Sequence, residues 1–116
     1  MDPTESPASI VQQQLEAYNR RDLRSFCALF AEDVALFELG ASTPTTIGLS
    51  ALRVRYQALF EQSPNLYSHL ISRITHGQTV IDLERITGRN GASEPIELVA
   101  IYRIAAGRIS RVDFVR

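Results

Sequence analysis

Residues 18–39 read YNRRDLRSFCALFAEDVALFEL, and much of the architecture can be predicted from them. Asp22 follows a break in a first helical pattern and is a good N-cap for a second helix. Apolar side chains then recur at helical spacing, at Leu23, Phe26, Cys27 and Phe30. The apolar run at residues 34–39 predicts a strand. We therefore expect a helical hairpin that leads into a largely buried strand.

One acid, Glu38, lies among the apolar residues of this predicted strand. Burial disfavours the charged form of a carboxylate and suits it to moving protons near neutral pH. Its neighbours on both faces of the strand are apolar, and an unpaired buried carboxylate is costly to keep without a function, so we expect Glu38 to face a pocket. The alternative is a place at the rim of that pocket, paired with an arginine and without a chemical role.

A first and a third helix flank this stretch. Ser6 and Pro7 are typical of a helix start, and the pattern ends at about Asn19. Its apolar stripe consists of Val11, Leu15 and Tyr18. Gly48 precedes the third helical pattern, which ends at residues 63–65. One face of that helix carries Leu52, Tyr56, Leu59 and Phe60, and the other largely carries Arg53, Arg55, Glu61 and Gln62.

From residue 66 onward the apolar residues alternate with a period of two, which is typical of strands. The β-rich segments, separated by glycine-containing turn signals, are residues 66–75, 79–87, 95–105 and 108–115. They predict a four-stranded antiparallel meander. Together with the three helices, they indicate an α+β fold in which helices pack on one face of a strongly curved antiparallel sheet.

Length and composition limit the possible classes of protein. The 116 residues fit one domain, 1–116, with residues 1–6 as a flexible tail. The net charge of −1 has no block of like charge, so we expect neither a nucleic acid nor a membrane as partner. The first residues do not resemble a secretory signal or transit peptide, which predicts a cytoplasmic protein.

The available side chains also limit the chemistry. The single cysteine, Cys27, excludes an internal disulfide and fits a small core residue. All twelve basic residues are arginines, which excludes a Schiff-base lysine and the lysine of a phosphate-binding loop. His69 and His76 lack a matching carboxylate pattern, so we expect no metal and no organic cofactor.

Two groups of segments resemble one known superfamily. The first runs from Tyr18-Asn19-Arg20-Arg21-Asp22-Leu23 through residues 28–34, and the second comprises residues 80–88, 100–104 and 107–109. With the order helix, helix, strand, helix and meander, they resemble the SnoaL-like and ketosteroid-isomerase-like branch of the nuclear-transport-factor-2-like superfamily. The resemblance covers nearly the whole chain and implies a cone-shaped pocket. The superfamily hosts isomerases, cyclases, hydrolases, dehydratases and non-catalytic binders, so the resemblance leaves the function open.

The ketosteroid isomerase pattern implies roles for individual residues. It places Glu38 at the aspartate base, Gln14 at the phenolic oxyanion donor, and Ala100 at or beside the protonated aspartic acid. Because Ala100 has no side-chain donor, a true ketosteroid isomerase is disfavoured. Tyr18, one helical turn beyond Gln14, and Tyr56 could supply a phenol instead, or they could be core aromatics.

The sequence does not decide which face of the second meander strand points into the pocket. Asp82 and Glu84 share one face, while Ile81 and Leu83 share the other. We expect Ile81 and Leu83 to point inward and the two acids to lie on the outer face near arginines. In the alternative, Glu38, Asp82 and Glu84 crowd one pocket and at least one of the acids is a stronger base.

The remaining expectations concern the pocket and the assembly. The predicted pocket residues, besides the candidate catalytic residues Glu38, Tyr18 and Gln14, are Tyr56, Leu52, Leu59, Phe60, Leu83, Ala100, Tyr102 and Phe114. Val99 and Ile101 point to the other face of the sheet, where exposed apolar side chains favour burial. Members of the superfamily commonly pair through that face, which implies a homodimer.

The leading functional hypothesis is a small-molecule pocket protein. Glu38 would act as the base in proton transfer on a small apolar carbonyl compound, as in an isomerase or cyclase, and Tyr18, Gln14 or Tyr56 would polarise the carbonyl oxygen. The alternative is a non-catalytic ligand-binding or protein-interaction module of the same fold.

Overall fold

The computed structural model describes residues 5–116, which form three α-helices, six strands and one 3₁₀ turn. In chain order these are α1 Pro7–Arg20, α2 Leu23–Cys27, β1 Phe30–Glu38, β2 Thr46–Ile47, α3 Leu49–Gln62, β3 Tyr67–His76, β4 Thr79–Thr87, the 3₁₀ turn Arg89–Gly91, β5 Ile96–Ala105 and β6 Arg108–Val115. Residues 1–4 of the expected flexible tail lie outside the described residues.

Local chemistry sets the helix ends where the sequence predicts them. The Ser6 side chain accepts a hydrogen bond from the Ser9 backbone N–H at 3.1 Å, and Pro7 occupies the first turn of α1. The Asp22 side chain caps α2 by accepting from the Ser25 N–H, also at 3.1 Å. The predicted hairpin is confirmed, as is the start of α3 after Gly48, which caps this helix without a side-chain hydrogen bond.

The strand after the hairpin begins earlier than predicted. Phe30, assigned to the buried face of the second helix, is the first residue of β1, and α2 ends at Cys27. The reason is tertiary pairing: Phe30 lies opposite Ile109 of β6, and the Ile109 N–H donates to the Leu29 carbonyl at 2.9 Å.

The sheet is a curved, mixed, six-stranded sheet with strand order β2-β1-β6-β5-β4-β3. Strands β3 to β6 form the predicted antiparallel meander. Strand β1 joins the meander by pairing in parallel with β6, and the short β2 pairs antiparallel with β1. The α+β fold with helices on one face of the curved sheet is confirmed.

The inner face of β4 is the opposite of the one expected. Asp82 and Glu84 point inward and are 1% and 6% exposed, whereas Ile81 and Leu83 are only partly buried on the outer face. The expectation that Leu83 faces the pocket is therefore wrong. Val80 and Ile86, both buried, share the parity of the two acids and hold β4 in this orientation.

Aromatic side chains fill much of the space between the helices and the sheet. The Phe26 ring lies 4.9 Å from that of Phe30, 4.6 Å from that of Tyr56 and 5.7 Å from that of Phe60, measured between centroids. The Tyr18 ring packs against Phe60 at 5.7 Å. The rings of Tyr18, Phe26, Tyr56 and Phe60 form the wall of α1, α2 and α3 that faces the sheet, and Phe30 of β1 packs against them.

No helix within residues 5–116 is long and apolar enough to cross a membrane.

Candidate ligand-binding and active site

A cavity of about 230 Å³ lies between α1, α3 and the inner face of the sheet. Its wall is mostly apolar and aromatic, with one acid and a polar rim. The lining residues are Gln14, Tyr18, Phe26, Phe30, Leu36, Arg55, Tyr56, Ala58, Leu59, Gln62, Glu84, Ile86, Arg89, Asn90, Leu98, Tyr102, Val112, Phe114 and Arg116. Apolar walls with a few converging polar groups are typical of small-molecule sites.

Glu84 is the acid in this wall, in the middle of β4. The Ser68 hydroxyl donates to its Oε1 at 2.6 Å, and the Tyr102 hydroxyl donates to its Oε2 at 3.4 Å. Burial raises the pKa of the Glu84 carboxyl above its ordinary value, and the nearby Asp82 adds to the rise. The two hydrogen bonds oppose it by stabilising the carboxylate. Glu84 is therefore a stronger base than an exposed glutamate.

Asp82, two residues before Glu84, is kept away from the cavity by an arginine. Arg73 of β3 binds it with two of its three guanidinium nitrogens: Nε donates to Oδ1 at 2.7 Å and Nη2 to Oδ2 at 2.9 Å. The remaining nitrogen, Nη1, donates to Gln12 Oε1 of α1 at 3.0 Å. The hydrogen bond to Asp82 raises the pKa of Arg73. Asp82 thus forms a largely buried ion pair with Arg73 within the sheet, and Arg73 links this pair to α1 through Gln12.

Three phenols and one amide face the cavity around Glu84. Burial raises the pKa of the Tyr18, Tyr56 and Tyr102 hydroxyls, so they stay neutral hydrogen-bond donors at ordinary pH. Within residues 5–116, no fully buried polar side-chain atom lacks a partner. The Tyr18 and Tyr56 hydroxyls and the Gln14 amide form no hydrogen bond with the described residues, so these polar ends reach the open space that they line.

Three arginines form the rim. Arg55 of α3 donates to the Thr46 hydroxyl at 2.9 Å, and its Cζ lies 5.5 Å from the Tyr56 ring centroid and 5.8 Å from that of Phe114. Arg116 pairs with Glu38, Nε to Oε1 at 3.0 Å. Arg89 has no carboxylate partner within residues 5–116. The rim therefore carries more positive than negative charge.

The turn that carries Arg89 is fixed against the end of α3. Gly88 has a φ of +74°, and a Cβ at this position would lie 2.3 Å from the Asn65 carbonyl oxygen. The buried Ser63 hydroxyl accepts a hydrogen bond from the Asn90 N–H at 2.8 Å. Arg89, between these two contacts, is held at the rim by a tightly packed backbone.

The structure brings together part of the predicted site. Lining the cavity are Gln14, Tyr18, Tyr56, Leu59, Tyr102 and Phe114. Leu52, Phe60 and Ala100 are buried in the core without lining it, and Leu83 is on the outer face. Glu38 shares the inner face of β1 but lies beyond the cavity at the rim, where its side chain is 44% exposed and bound to Arg116.

Sequence reasoning missed Glu84, Arg55, Arg89 and Arg116 as lining residues. The signal for Glu84 was present, because Val80 and Ile86 share its strand parity. Arg55 was placed on the outer face of its helix, yet it lies next to Tyr56 at the edge of the apolar face. Arg89 lies in a turn, where neither helical nor strand periodicity applies.

No group of three or more histidine, cysteine, aspartate or glutamate side chains within residues 5–116 is arranged to hold a metal ion. The polar groups of the cavity are one carboxyl, three phenols, the side-chain amides of Gln14, Gln62 and Asn90, and arginines at the rim. This set can bind a carbonyl oxygen and exchange a proton beside it without further components.

Comparisons with known proteins agree with this architecture. The family described as SnoaL-like domain matches residues 11–112. A cystatin-fold protein of Novosphingobium aromaticivorans has a TM-score of 0.89 at 23% identity, covering 97% of this chain and 99% of that chain. A proposed polyketide cyclase from Sinorhizobium meliloti has a TM-score of 0.79 at 20% identity, covering 99% of this chain and 100% of that one.

A proposed ketosteroid isomerase from Kribbella flavida has a TM-score of 0.80 at 18% identity, covering 93% of this chain and 75% of that chain. No curated protein matches the chain. At these identities the solved structures share the fold with this chain.

Proposed function

We propose that this chain, which belongs to the SnoaL-like domain family, binds a small apolar carbonyl compound in its cavity and moves a proton on it with Glu84. The observation that carries the proposal is the buried Glu84 carboxyl in the cavity wall, with its raised pKa and its two hydroxyl partners. A carboxyl whose pKa is raised toward neutrality is suited to general acid–base catalysis.

The proposed step uses only groups of this chain. The Glu84 carboxylate takes a proton from a carbon beside the carbonyl, and the electrons of the broken C–H bond form an enolate. Phenol donors from Tyr18 and Tyr56 stabilise the negative charge on the enolate oxygen, as oxyanion-hole donors do. Where a carbon–carbon double bond of the substrate is conjugated with the enolate, Glu84 then returns the proton to the far carbon of that double bond, which completes an isomerisation.

Glu38 is the competing base, at the position implied by the ketosteroid isomerase pattern. Its ion pair with Arg116 and its exposure favour a structural place at the rim. For that reason we assign the proton transfer to Glu84 and keep Glu38 as the matched control.

Exchange of carbon-bound protons with D₂O tests the proposal without knowledge of the natural substrate. Small cyclic ketones, such as cyclohexanone and cyclohex-2-enone, are incubated with the protein in D₂O, and loss of the α-proton signal is followed by NMR. We expect catalysed exchange that falls by about 10²-fold or more in Glu84→Gln and persists in Glu38→Gln. The reverse pattern would assign the base to Glu38.

A non-catalytic binding module is the second candidate. The observation that favours it is Ala100, which supplies no donor where the ketosteroid isomerase pattern has its protonated acid. Ketones that bind in the cavity, detected by chemical-shift changes of the protein, without any exchange above the buffer rate would support this function over proton transfer.

We also propose that the chain forms a homodimer through the outer face of the sheet. Ile74, Ile81 and Ile101 lie side by side there on β3, β4 and β5, and Ile74 is 60% exposed. Leu83 and Val99 form a neighbouring cross-strand pair on the same face. A continuous apolar surface of this kind favours burial against a partner.

A further inference from the structure

The charge at the rim of the cavity is unbalanced. Of its three arginines, Arg116 is neutralised by Glu38. Arg55 and Arg89 have no carboxylate partner within residues 5–116, and the hydrogen bonds of Arg55 go to the Thr45 and Thr46 hydroxyls. Two guanidinium groups therefore border the cavity with their positive charge unpaired.

These arginines are restrained side chains in fixed places. Arg55 is half-buried between two hydroxyls and the rings of Tyr56 and Phe114. Arg89 is half-buried in the turn that Gly88 and Asn90 fix against α3. A guanidinium that is already ordered loses less conformational freedom when it binds an anion.

The rest of the cavity fits a small apolar body. Its volume of about 230 Å³ is below the range of about 300–1,000 Å³ that is usual for drug-sized ligands. Leu36, Ile86, Leu98 and Val112 supply the sheet side of the wall, and aromatic rings supply the helix side. An anionic group can stay at the rim, where water still helps to solvate it.

We infer that the ligand is a small organic acid, whose apolar part fills the cavity and whose carboxylate is bound by Arg55 and Arg89. This inference rests on the proposed function, because it names the class of molecule that the same cavity takes. Arginine forks match the geometry of a carboxylate and bind it more strongly than a neutral amide. The carbonyl compound on which Glu84 acts is then an oxo acid or a related unsaturated acid.

Benzoate and benzamide test the inference, since they share a ring and differ in charge. Isothermal titration calorimetry at constant pH and ionic strength measures both with the whole chain. We expect benzoate to bind at least about tenfold more tightly than benzamide, because a charged pair replaces a neutral hydrogen bond. The preference should shrink when NaCl is raised from about 0.05 M to about 0.5 M.

Arginine variants identify the source of the preference. In Arg89→Gln and in Arg55→Gln, we expect benzoate to lose about five- to tenfold in affinity and benzamide to change less than about twofold. Arg53→Gln is the matched control, because Arg53 is an exposed arginine on the same helix as Arg55 and its loss changes the net charge equally. It should leave both affinities unchanged.

Each outcome has a distinct meaning. Equal affinities for the two probes, or a preference that survives both substitutions at the rim, would overturn the organic-acid inference and leave the cavity as a site for neutral compounds. Should neither probe bind at about 10 mM, the organic-acid inference would fail, and the D₂O exchange of neutral ketones would still decide the proposed function. Thermal unfolding of each variant identifies a loss of binding that comes from misfolding, and Arg89→Gln, in a turn, then carries the test.

Discussion

Asp82 and Glu84 are two acids on the same face of β4, and their surroundings differ. Asp82 is bound on both oxygens by Arg73, so its charge is compensated by an opposite charge. Glu84 has only hydroxyl partners, from Ser68 and Tyr102, and its charge is uncompensated within the cavity wall. One strand thus holds a structural ion pair beside an acid that is free to exchange its proton.

The raised pKa of Glu84 predicts that the contribution of this carboxyl to the unfolding free energy falls as the pH rises. The native state binds the Glu84 proton more tightly than the unfolded chain does, so this proton contributes stability that is fully present below the ordinary pKa of 4.5. The contribution is lost as the pH rises through the folded-state pKa. Each unit by which the folded-state pKa exceeds the ordinary one corresponds to about 1.4 kcal/mol.

Glu84→Gln isolates this effect. The difference in unfolding free energy between Glu84→Gln and the wild type, from urea titrations at about pH 4.5 to about pH 8, should shift in favour of the variant as the pH rises. Glu61→Gln, at an exposed carboxyl on α3, controls for the loss of one negative charge. A difference that stays constant with pH would contradict the raised pKa.

Two tyrosines of the site could be predicted from helical spacing, whereas the acid of the sheet was only the alternative of two orientations. Tyr18 and Tyr56 follow from helical spacing, because a helix has one apolar stripe that must face the core. Gln14 follows from the resemblance to the ketosteroid isomerase pattern. On β4 the alternation allows either face to point inward. The apolar residues Ile81 and Leu83 favoured the face that the structure places outside. The acids can be buried because their partners on other strands, Arg73 for Asp82 and Ser68 and Tyr102 for Glu84, offset the cost of removing them from water.

At the scale of elements, the connection from β4 to β5 positions one side of the rim. Its 3₁₀ turn leaves the sheet at Gly88, touches the backbone at Asn65 and is tied to Ser63 by Asn90. Because Arg89 lies inside this turn, the shape of the rim depends on how closely the turn approaches the end of α3.

Gly88→Ala should therefore be strongly destabilising. The new methyl group meets the Asn65 carbonyl oxygen at 2.3 Å, and the φ of +74° is unfavourable for alanine. We expect a loss of about 2–4 kcal/mol in unfolding free energy, from strain and overpacking together. Denaturant unfolding measures it.

Gly91→Ala in the same turn is the matched control. Gly91 has a similar φ of +76°, but a Cβ there meets no atom within 4 Å. We expect only the conformational cost, about 1–2 kcal/mol. Equal losses in the two variants would show that the close approach to Asn65 contributes nothing.

The helices and the meander could be predicted because their determinants are local. Caps at Ser6 and Asp22, the glycine before α3 and the turn signals between strands all lie beside the elements that they limit. The start of β1 at Phe30 and its parallel pairing could not be predicted, because both depend on β6, which is distant in sequence. A parallel neighbour leaves no turn signature between the two strands.

At the scale of the whole molecule, the two faces of the sheet have different roles. The helices cover the inner face, and the outer face presents the row of Ile74, Ile81 and Ile101. This partly exposed apolar row is the surface on which the proposed homodimer rests.

Ile101→Glu should separate the proposed dimer into monomers. A charge at the β5 end of the row would be buried without a partner on association, which is unfavourable by several kcal/mol. Size-exclusion chromatography with light scattering measures the mass of the wild type and the variant. Val54→Glu, at an apolar residue of α3 that is 69% exposed, is the matched control and should leave the mass unchanged. A wild type with the mass of one chain would refute the dimer.

The parallel pairing of β1 with β6 also governs the order of events during biosynthesis. The ribosome releases β1 early and β6 only after the other five strands, so the nascent chain spends most of its elongation without the strand that joins β1 to the meander. Leu36 and Val112, which face one another across that pair, cannot meet until then. Such long-range closure is slow, and the aromatic rings of the helices stay unshielded until it occurs. The ligand cavity is accordingly among the last features of the molecule to form, and the nascent protein is most prone to aggregate just before it does.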